Sequence, residues 1–424
     1  MKASFSAYQK VVVAILAFLQ FSIILDFMVM SPLGVMIMPS LKITPHQFGS
    51  AVSVYAISAG ISGILSAGFA DRFDRKRFLL FFYFGFILGT LLCALAHDYH
   101  FLLFGRMVTG LFGGVIGSVV LAIVTDLYSF DMRGRVMGFI QTAFAASQIL
   151  GLPIGLYLAN RWDWHSPFFM IVVVASLVGI IIMTKLQPIS GHITKKSDRN
   201  AFHHLLTTVT NRDYLFAFSA TAFLSIGGFM LMPFGSAFSV HNLGIDQSLL
   251  PELYLITGFC AIFTGPLVGR LADKIGKYPT FVFGAIVTII MVLIYTNLGV
   301  TPFPLVVLVN AVLFVGIFSR MIPSQALMSA IPAPESRGSF MSINNSLQQM
   351  SGGIAAFIAG LIVTEGPNGH LEHFNILGYI LVGTALITTI QMYGINKRVT
   401  AKLAKAAVDT SSNAEASTAN MDQS

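Results

Sequence analysis

Twelve long apolar runs divide this sequence, and they constrain its fold more than any other feature. Most of the runs reach the length of about 20 residues that a helix needs to cross a bilayer. Because the runs are continuous and do not alternate as barrel strands do, they predict membrane-spanning helices. The runs lie near residues 11–38, 47–70, 78–96, 101–128, 136–159, 167–186, 214–240, 249–271, 280–298, 305–330, 339–363 and 376–393.

The composition agrees with an embedded chain. Hydrophobic residues make up 55% of the sequence, charged residues make up 10%, and the mean hydropathy is +0.78. Soluble domains are far more polar than this. Cys93 and Cys260 lie inside predicted spans of different halves, so we expect no disulfide framework.

The basic residues predict the orientation of the chain. With both termini and the loops after even-numbered spans in the cytoplasm, all but four of the 25 lysines and arginines lie there. Lys42 and Arg161 lie outside, and Arg106 and Arg320 lie within spans. This asymmetry is the positive-inside rule. It also accounts for the net charge of +7 without a nucleic-acid partner.

The twelve runs form two halves of six. Residues 1–186 hold the first six spans, and residues 187–213 form a polar cytoplasmic connector. Residues 214–395 hold the other six spans. Residues 396–424 contain no apolar segment to bury, so we predict a disordered cytoplasmic tail.

Two landmarks recur between the halves at nearly one spacing. A loop with six charges between Asp71 and Arg77 follows the second run, and a related loop at 269–277 follows the eighth. Asp71 and Asp273 occupy equivalent positions at an offset of 202, and Arg133 recurs as Arg337 at an offset of 204. Such repeats predict two related six-helix bundles.

The first loop closely resembles the loop between helices 2 and 3 of the major facilitator superfamily, whose pattern is Gly-x-x-x-Asp-Arg-x-Gly-Arg-Lys/Arg. Asp71, Arg72, Arg75 and Lys76 fall on this pattern, whereas Asp74 stands at one of its glycines. The resemblance covers roughly residues 8–395. It implies an all-α membrane protein with twelve transmembrane helices in two pseudo-symmetric six-helix bundles.

Two charges lie deep in the first half. Asp26 is 16 residues beyond Lys10, about 24 Å along its helix, and Arg106 is 20 residues before Asp126, about 30 Å from the same side. Their comparable depth predicts that the two side chains can meet. Ionisable groups inside a membrane are costly and by default mark function. The alternative is a static ion pair that only fixes helix packing.

The residues around both charges resemble family signatures. Arg106 and Gly110 match the Arg-x-x-x-Gly pattern of the superfamily's fourth helix, and the segment from Asp26 to Met30 is similar to the first-helix signature of the drug:proton antiporter branch. The resemblance implies that Asp26 carries a proton and that Arg106 is its electrostatic partner.

Polar residues in three other spans predict a substrate cavity. Polar side chains at this depth either bond between helices or face a water-filled path. With Arg320 near mid-bilayer, we expect a cavity that prefers anionic or neutral polar solutes over lipophilic cations. The alternative for Arg320 is a hydrogen bond to helix-end carbonyls. The predicted cavity residues are Arg320, Gln141, Gln148, Asn345, Gln348 and Gln349.

The resemblance also implies a cytoplasmic gate. In the family, the loop aspartate caps helix 11, and the arginine four residues later pairs with an acid at the end of helix 4. These roles fall to Asp71 and Arg75, with Asp126 as the acid. The predicted gate residues are Asp71, Arg72, Arg75, Asp126, Asp273 and Lys277.

We therefore expect a secondary active transporter that exports a small polar metabolite or drug-like compound in exchange for protons. Residues 151–155 match the antiporter pattern Gly-Pro-x-x-Gly-Gly only in part, so two alternatives stay open. One is a proton-coupled importer of an organic anion, and the other is a non-transporting sensor or lipid-handling protein. Residues 162–168 look like the outer loop of bacterial arabinose- and nucleoside-efflux-like permeases, although paired tryptophans are also plain interface anchors.

The expected partners are the small-molecule substrate, protons and the lipid bilayer. We expect no nucleic acid, no cofactor and no metal, and we expect a monomer in the bacterial inner membrane. The sequence has no phosphate-binding Gly-Lys-Ser/Thr loop, no Gly-x-Ser-x-Gly turn and no His-Glu-x-x-His pair. An enzyme activity is therefore not expected.

Overall fold

The computed structural model describes residues 5–66, 72–190, 208–332, 337–366 and 369–421. Within them the chain forms twelve long helices. These are α1 (Ala7–Val29), α2 (Pro45–Ser66), α3 (Arg75–Ala94), α4 (Tyr99–Leu127), α5 (Phe130–Ala146, the π-helical turn Ser147–Gly151 and Leu152–Arg161), α6 (Ser166–Lys185), α7 (Arg212–Leu231, the 3-10 turn Met232–Phe234 and Gly235–His241), α8 (Leu250–Ile275), α9 (Lys277–Tyr295), α10 (Phe303–Ala330), α11 (Arg337–Ile362) and α12 (Phe374–Met421).

Each predicted apolar run falls on one of these helices, which confirms the helical membrane fold. In the described part of the chain, eleven of the helices are long and apolar enough to cross a membrane. α11 is the exception, because polar residues fill its first half. Its 26 residues still span about 39 Å, and it packs along α2 inside the bundle. Neighbouring helices rather than lipid alone surround this polar helix, which makes its composition tolerable.

The structure differs from the predicted element limits in two places. The first run does not continue as one helix to residue 38, because the chain turns after α1 and forms the short helix Gly34–Leu41. α12 continues past residue 396 to Met421, into the segment for which the sequence predicts a disordered tail. Alanine, the strongest helix former, is frequent between residues 401 and 407 and favours this extension.

Small residues allow the helices of each half to pack closely. In the first half, a Cβ at Gly89 would lie 2.5 Å from the Thr109 backbone nitrogen, so α3 and α4 approach at the level of these two residues. In the second half, a Cβ at Gly316 would lie 2.9 Å from the Thr288 nitrogen, which brings α9 and α10 together in the same way. Each bundle thus contains a close glycine–threonine contact between its third and fourth helices, although the glycine lies on the third helix in one half and on the fourth in the other.

The halves meet most extensively along α2 and α11. A Cβ at Gly49 would lie 2.7 Å from the Ala356 carbonyl oxygen, and one at Gly353 would lie 3.0 Å from the Ser53 carbonyl oxygen. Because these neighbours are backbone atoms, a larger residue would have to move a helix. Glycine is therefore needed where the two halves are in closest contact.

The two ends of the bundle differ in their contacts. We call the end that carries Phe5 and the α4–α5 connection the terminal face, and the end that carries Gly34–Leu41 and the antiparallel hairpin β1 (Thr364–Glu365) and β2 (Leu371–Glu372) the distal face. The two halves touch at the distal face, where Ser31 Oγ donates a hydrogen bond to the Met232 carbonyl oxygen.

Candidate functional site

The two buried charges of the first half form an ion pair. Arg106 Nη1 donates to Asp26 Oδ2 at 2.9 Å, and both side chains are 0% exposed. Asp26 lies on the inner face of α1, and Arg106 faces it from α4. The pair predicted from helix depth is therefore present in the structure.

The close packing of α2 against α4 explains why Arg106 is followed four residues later by a glycine, Gly110. The two residues lie one turn apart on the same face of the helix. A Cβ at Gly110 would overlap the carbonyl oxygen of Tyr55, so only glycine lets α2 approach α4 this closely. The approach places the Tyr55 ring over the Arg106 guanidinium, with 4.3 Å between Cζ and the ring centroid.

The remaining contacts of the pair come from α3. The Thr90 hydroxyl lies 3.1 Å from Asp26 Oδ1 and 3.0 Å from the Phe86 carbonyl oxygen, so it can donate to either acceptor. Cys93 Sγ lies 3.9 Å from Oγ1 of Thr109, which is three residues after Arg106 on α4. Four helices, α1 to α4, therefore form or surround the pair and exclude it from solvent in this conformation.

Arg106 uses only part of its hydrogen-bonding capacity. Its Nε and Nη2 atoms are buried and have no hydrogen-bond partner among the described residues. A guanidinium carries five N–H donors, and unpaired buried donors cost free energy. The site thus has donors available for a water molecule or a ligand carboxylate.

The terminal face carries the contact predicted for the gate. Arg75 Nε donates to Asp126 Oδ2 at 3.0 Å, and this joins the start of α3 to the end of α4. The Arg75 backbone N–H also donates to the Ile189 carbonyl oxygen at 3.1 Å, so the segment after α6 is held at the same point. Asp71, the predicted cap of α11, lies outside the described residues.

The other predicted gate residues take different positions. Arg72 is exposed, and Asp74 caps α3 by accepting a hydrogen bond from the Arg77 N–H at 3.0 Å. Aspartate is a preferred N-cap residue, which gives Asp74 a structural reason to replace the family glycine. In the second copy, Asp273 is exposed near the end of α8, and Lys277 is half-buried at the start of α9.

α11 presents polar and apolar side chains on opposite sides. Asn345 and Ile354 are both exposed, and their nine-residue separation turns them about 180° apart on an α-helix. An exposed isoleucine suits lipid, whereas an exposed asparagine at this depth needs water or another polar group. The side of α11 with Asn345 is therefore the side that requires a polar environment. Gln348 and Gln349, three and four residues further on, are half-buried.

α5 repeats this arrangement one half earlier. Gln141 is exposed and corresponds to Asn345, while Leu150 is 56% exposed and corresponds to Ile354, both at the offset of 204. Gln148 lies deeper and is buried where α5 meets Gly258 of α8. The polar sides of α5 and α11 are thus equivalent faces of the two bundles.

Arg320 does not join these polar residues. It is buried inside the second bundle, where Nη2 lies 3.4 Å from Thr388 Oγ1 on α12 and Cζ lies 5.8 Å from the Phe281 ring on α9. Its Nε has no hydrogen-bond partner among the described residues. Helix depth placed Arg320 near mid-bilayer, but α10 turns this side chain toward α9 and α12.

Two surface cavities lie away from the ion pair and the polar faces. A groove of about 340 Å³ between α5 and α6 is apolar and includes Trp162, which is 70% exposed. A polar cavity of about 210 Å³ lies at the distal face of the second half and includes Asn242.

Trp164 is buried and donates to Ser40 Oγ at 3.0 Å, so the two tryptophans do not share one role.

The sequence analysis did not identify Thr90 or Tyr55, which both touch the pair. Each is a polar residue within an otherwise apolar run, as Asp26 is, and this was the available signal. The periodicity of α2 and α3 could not show which of their faces would meet α1 and α4. That choice depends on how the helices pack.

Known proteins resemble this chain in sequence. The sequence profile of the Major Facilitator Superfamily matches residues 16–356 and, in a second match, residues 217–410. The uncharacterized MFS-type transporter YceJ of Bacillus subtilis (strain 168) is 26% identical over 376 residues, which cover 87% of this chain and 93% of YceJ. Multidrug resistance protein 3 of the same organism is 30% identical over 151 residues, or 35% of this chain and 29% of that protein.

Solved structures share the fold at much lower sequence identity. The nucleoside transporter NupG is 13% identical, with a TM-score of 0.72 over 91% of this chain and 99% of that chain. A D-xylose–proton symporter is 18% identical, with a TM-score of 0.71 over 90% and 97%. At these identities the similarity concerns the fold alone. The matches to both halves show that this chain is a membrane transporter that belongs to the Major Facilitator Superfamily.

Proposed function

We propose that this transporter is a proton-coupled antiporter that exports a small polar metabolite or a drug-like compound. The observation that carries the proposal is the Asp26–Arg106 pair, a buried carboxylate held by one arginine and one hydroxyl. Carboxylates within a membrane are rare and serve proton relays in pumps and transporters. The partial match to Multidrug resistance protein 3 favours export.

The proposed mechanism uses the contact between the halves. With the terminal face toward the cytoplasm, the distal contacts close the outer side, and the polar faces of α5 and α11 offer a path from the inner side. Protonation of Asp26 weakens its attraction to Arg106, and rocking of the halves about α2 and α11 then exposes the site to the other side. Substrate and proton thus use the site in alternation.

The energy available is sufficient for export. One proton that crosses a membrane potential of 100 mV supplies about 2.3 kcal/mol. Because about 1.4 kcal/mol corresponds to a tenfold concentration ratio, this supports a solute gradient of roughly fifty-fold. A pH gradient would add to that limit.

The first prediction is that Asp26→Asn abolishes substrate-induced proton flux in proteoliposomes. Asparagine keeps the shape of the side chain but cannot carry the proton. Flux would be recorded with a pH-sensitive dye across a panel of sugars, nucleosides, organic anions and cationic dyes. Glu252→Gln is the matched control, because Glu252 is an exposed acid in the first turn of α8. Solute transport with unchanged proton flux in Asp26→Asn would rule out Asp26 as the coupling residue.

A second candidate function is the proton-coupled import of an organic anion. The unpartnered Nε and Nη2 donors of Arg106 favour it, since they could hold a carboxylate once Asp26 is protonated. The two candidates differ in the direction of proton flux. Export predicts that protons and solute move in opposite directions, and import predicts that both enter together.

The second prediction concerns the Arg75–Asp126 contact, which lies within the first half and which we propose positions the loop aspartate Asp71 for closure of the cytoplasmic gate. Asp126→Asn removes a charge-assisted hydrogen bond, and we expect about a tenfold shift toward states open at the terminal face, which equals about 1.4 kcal/mol. The measurement is the labelling rate of a cysteine introduced at Gln141. Asp71→Asn should shift the rate in the same direction. An unchanged rate in both variants would argue against this role of the contact.

A further inference from the structure

Three aromatic side chains connect the ion pair to the second half of the protein. The Tyr55 ring covers the Arg106 guanidinium, and the Phe27 ring lies 5.4 Å from the Tyr55 ring. On its other side, the Phe27 ring lies 5.7 Å from the ring of Phe229 on α7. These contacts run from α4 through α2 and α1 to α7 without a gap. Tyr55, Phe27 and Phe229 are called the aromatic relay below.

The far end of the relay, Phe229, packs within the second half of the protein. A Cβ at Gly352 of α11 would lie 2.8 Å from the Phe229 ring, so α11 packs directly on this side chain. Phe229 also lies three residues before Met232, whose carbonyl oxygen accepts the distal hydrogen bond from Ser31. Any separation of the halves at the distal face must therefore move Phe229 relative to Phe27.

The near end of the relay acts on Arg106. A cation–π contact depends on the position of the ring over the cation and is stronger where water is excluded. Tyr55 is 2% exposed and Arg106 is 0% exposed. Because Nε and Nη2 of Arg106 have no hydrogen-bond partner among the described residues, the ring is a principal contact of the guanidinium besides Asp26.

We propose that Phe229, Phe27 and Tyr55 are positioning residues that transmit the relative position of the two halves to the Asp26–Arg106 pair. When the distal face is closed, Phe229 holds Phe27 against Tyr55, and Tyr55 holds Arg106 in place. When the distal face opens, this support is lost and the pair rearranges. The inference rests on the proposed proton coupling and adds the route by which conformation and protonation influence each other.

Among the residues that the structure describes, few titratable groups lie near Asp26, which makes the coupling measurable. Arg106 faces it from α4, Tyr55 from α2, and Cys93 from α3. Tyr83, also on α3, donates to Ser22 one turn away on α1 at 3.4 Å. A pH effect that disappears in Asp26→Asn can therefore be assigned to this carboxyl group.

The test measures closure of the distal face as a function of pH. Cysteines replace Ser31 and Met232 in a background with Cys93→Ala and Cys260→Ala, and their oxidative cross-linking rate is followed in proteoliposomes at acidic and alkaline pH. Because thiol oxidation itself becomes faster as the pH rises, each rate is compared with that of Asp26→Asn at the same pH. We expect the ratio of the parent rate to the Asp26→Asn rate to change about tenfold with pH. The variants Phe27→Leu and Tyr55→Leu should not show this change with pH, because both substitutions interrupt the relay.

Two further variants separate the relay from general packing. Tyr55→Phe keeps the ring over Arg106 and should retain the pH dependence, which also provides a variant that folds if leucine is not tolerated. Phe357→Leu removes a different ring contact between the halves, in which the Phe357 and His46 ring centroids lie 5.3 Å apart. This variant should retain the pH dependence as well.

The outcomes distinguish the relay from the proposed function. If Phe27→Leu and Tyr55→Leu keep the full pH dependence, or if Tyr55→Phe loses it, the relay is wrong. The antiport mechanism would still stand if Asp26→Asn abolishes proton flux in the transport assay. If the pH dependence of the cross-linking rate is the same in the parent and in Asp26→Asn, the relay is wrong whatever the flux assay gives.

Discussion

Replacing Asp26 by leucine is expected to lower the free energy of unfolding by about 3–5 kcal/mol, because it leaves the Arg106 guanidinium buried without its anion. Arginine keeps its proton in proteins, so the charge cannot be removed by deprotonation. Arg106→Leu should cost less, since the Asp26 carboxyl group can take up a proton and become neutral. Thermal unfolding in detergent, followed by circular dichroism, would order these variants.

Two further variants test whether pairing of the charges causes the loss of stability. Asp26→Leu with Arg106→Leu should recover most of the lost stability while losing proton coupling, because two apolar groups replace the pair. Arg320→Leu is the matched control, as Arg320 is buried but no acid pairs with it among the described residues. We expect it to be neutral or stabilising. An equal loss in Arg320→Leu and Arg106→Leu would show that pairing is not the cause.

Gly49→Ala is expected to shift the protein toward states that are open at the distal face. The added Cβ would lie 2.7 Å from the Ala356 carbonyl oxygen and 3.0 Å from Gly360 Cα, and backbone atoms cannot rotate away. Overpacking of this kind costs about 1–3 kcal/mol. If the cost falls on the closed state, the ratio of states changes about 5- to 150-fold.

The readout for Gly49→Ala is the labelling of a cysteine at Ser31 by a membrane-impermeant maleimide added at the distal face. Ser31 is buried in the closed state, so the rate should rise as that state is depopulated. Gly117→Ala is the matched control, because nothing lies within 4 Å of its Cβ position on α4. Equal labelling rates in both variants would mean that the α2–α11 contact does not control closure.

The first-half ion pair could be predicted from the sequence because it depends on one-dimensional quantities. The rise per residue along a helix fixed the depths of Asp26 and Arg106, and comparable depth was enough to predict that they meet. The same reasoning failed to locate Arg320. Depth says nothing about rotation around the helix axis, and α10 directs Arg320 toward α9 and α12.

The polar faces of α5 and α11 could be predicted in part. The repeat offset paired Gln141 with Asn345 before any contact was known, and both are exposed in the structure. Spacing alone could not separate Asn344, which accepts a hydrogen bond from Thr221 at 2.6 Å, from its exposed neighbour Asn345. Which of two adjacent residues is paired depends on the position of α7.

The sequence by itself determined the number of apolar runs, their pairing into two halves, the membrane setting and the depth of the buried charges. These follow from helix length, hydropathy and repeat spacing, which are properties of the chain alone. Only the tertiary structure decided which helices surround those charges, and thus that Tyr55 covers Arg106 and that Gly110 makes this approach possible. Rotation and contact between helices are set by packing at many positions together, and no single run of sequence contains that information.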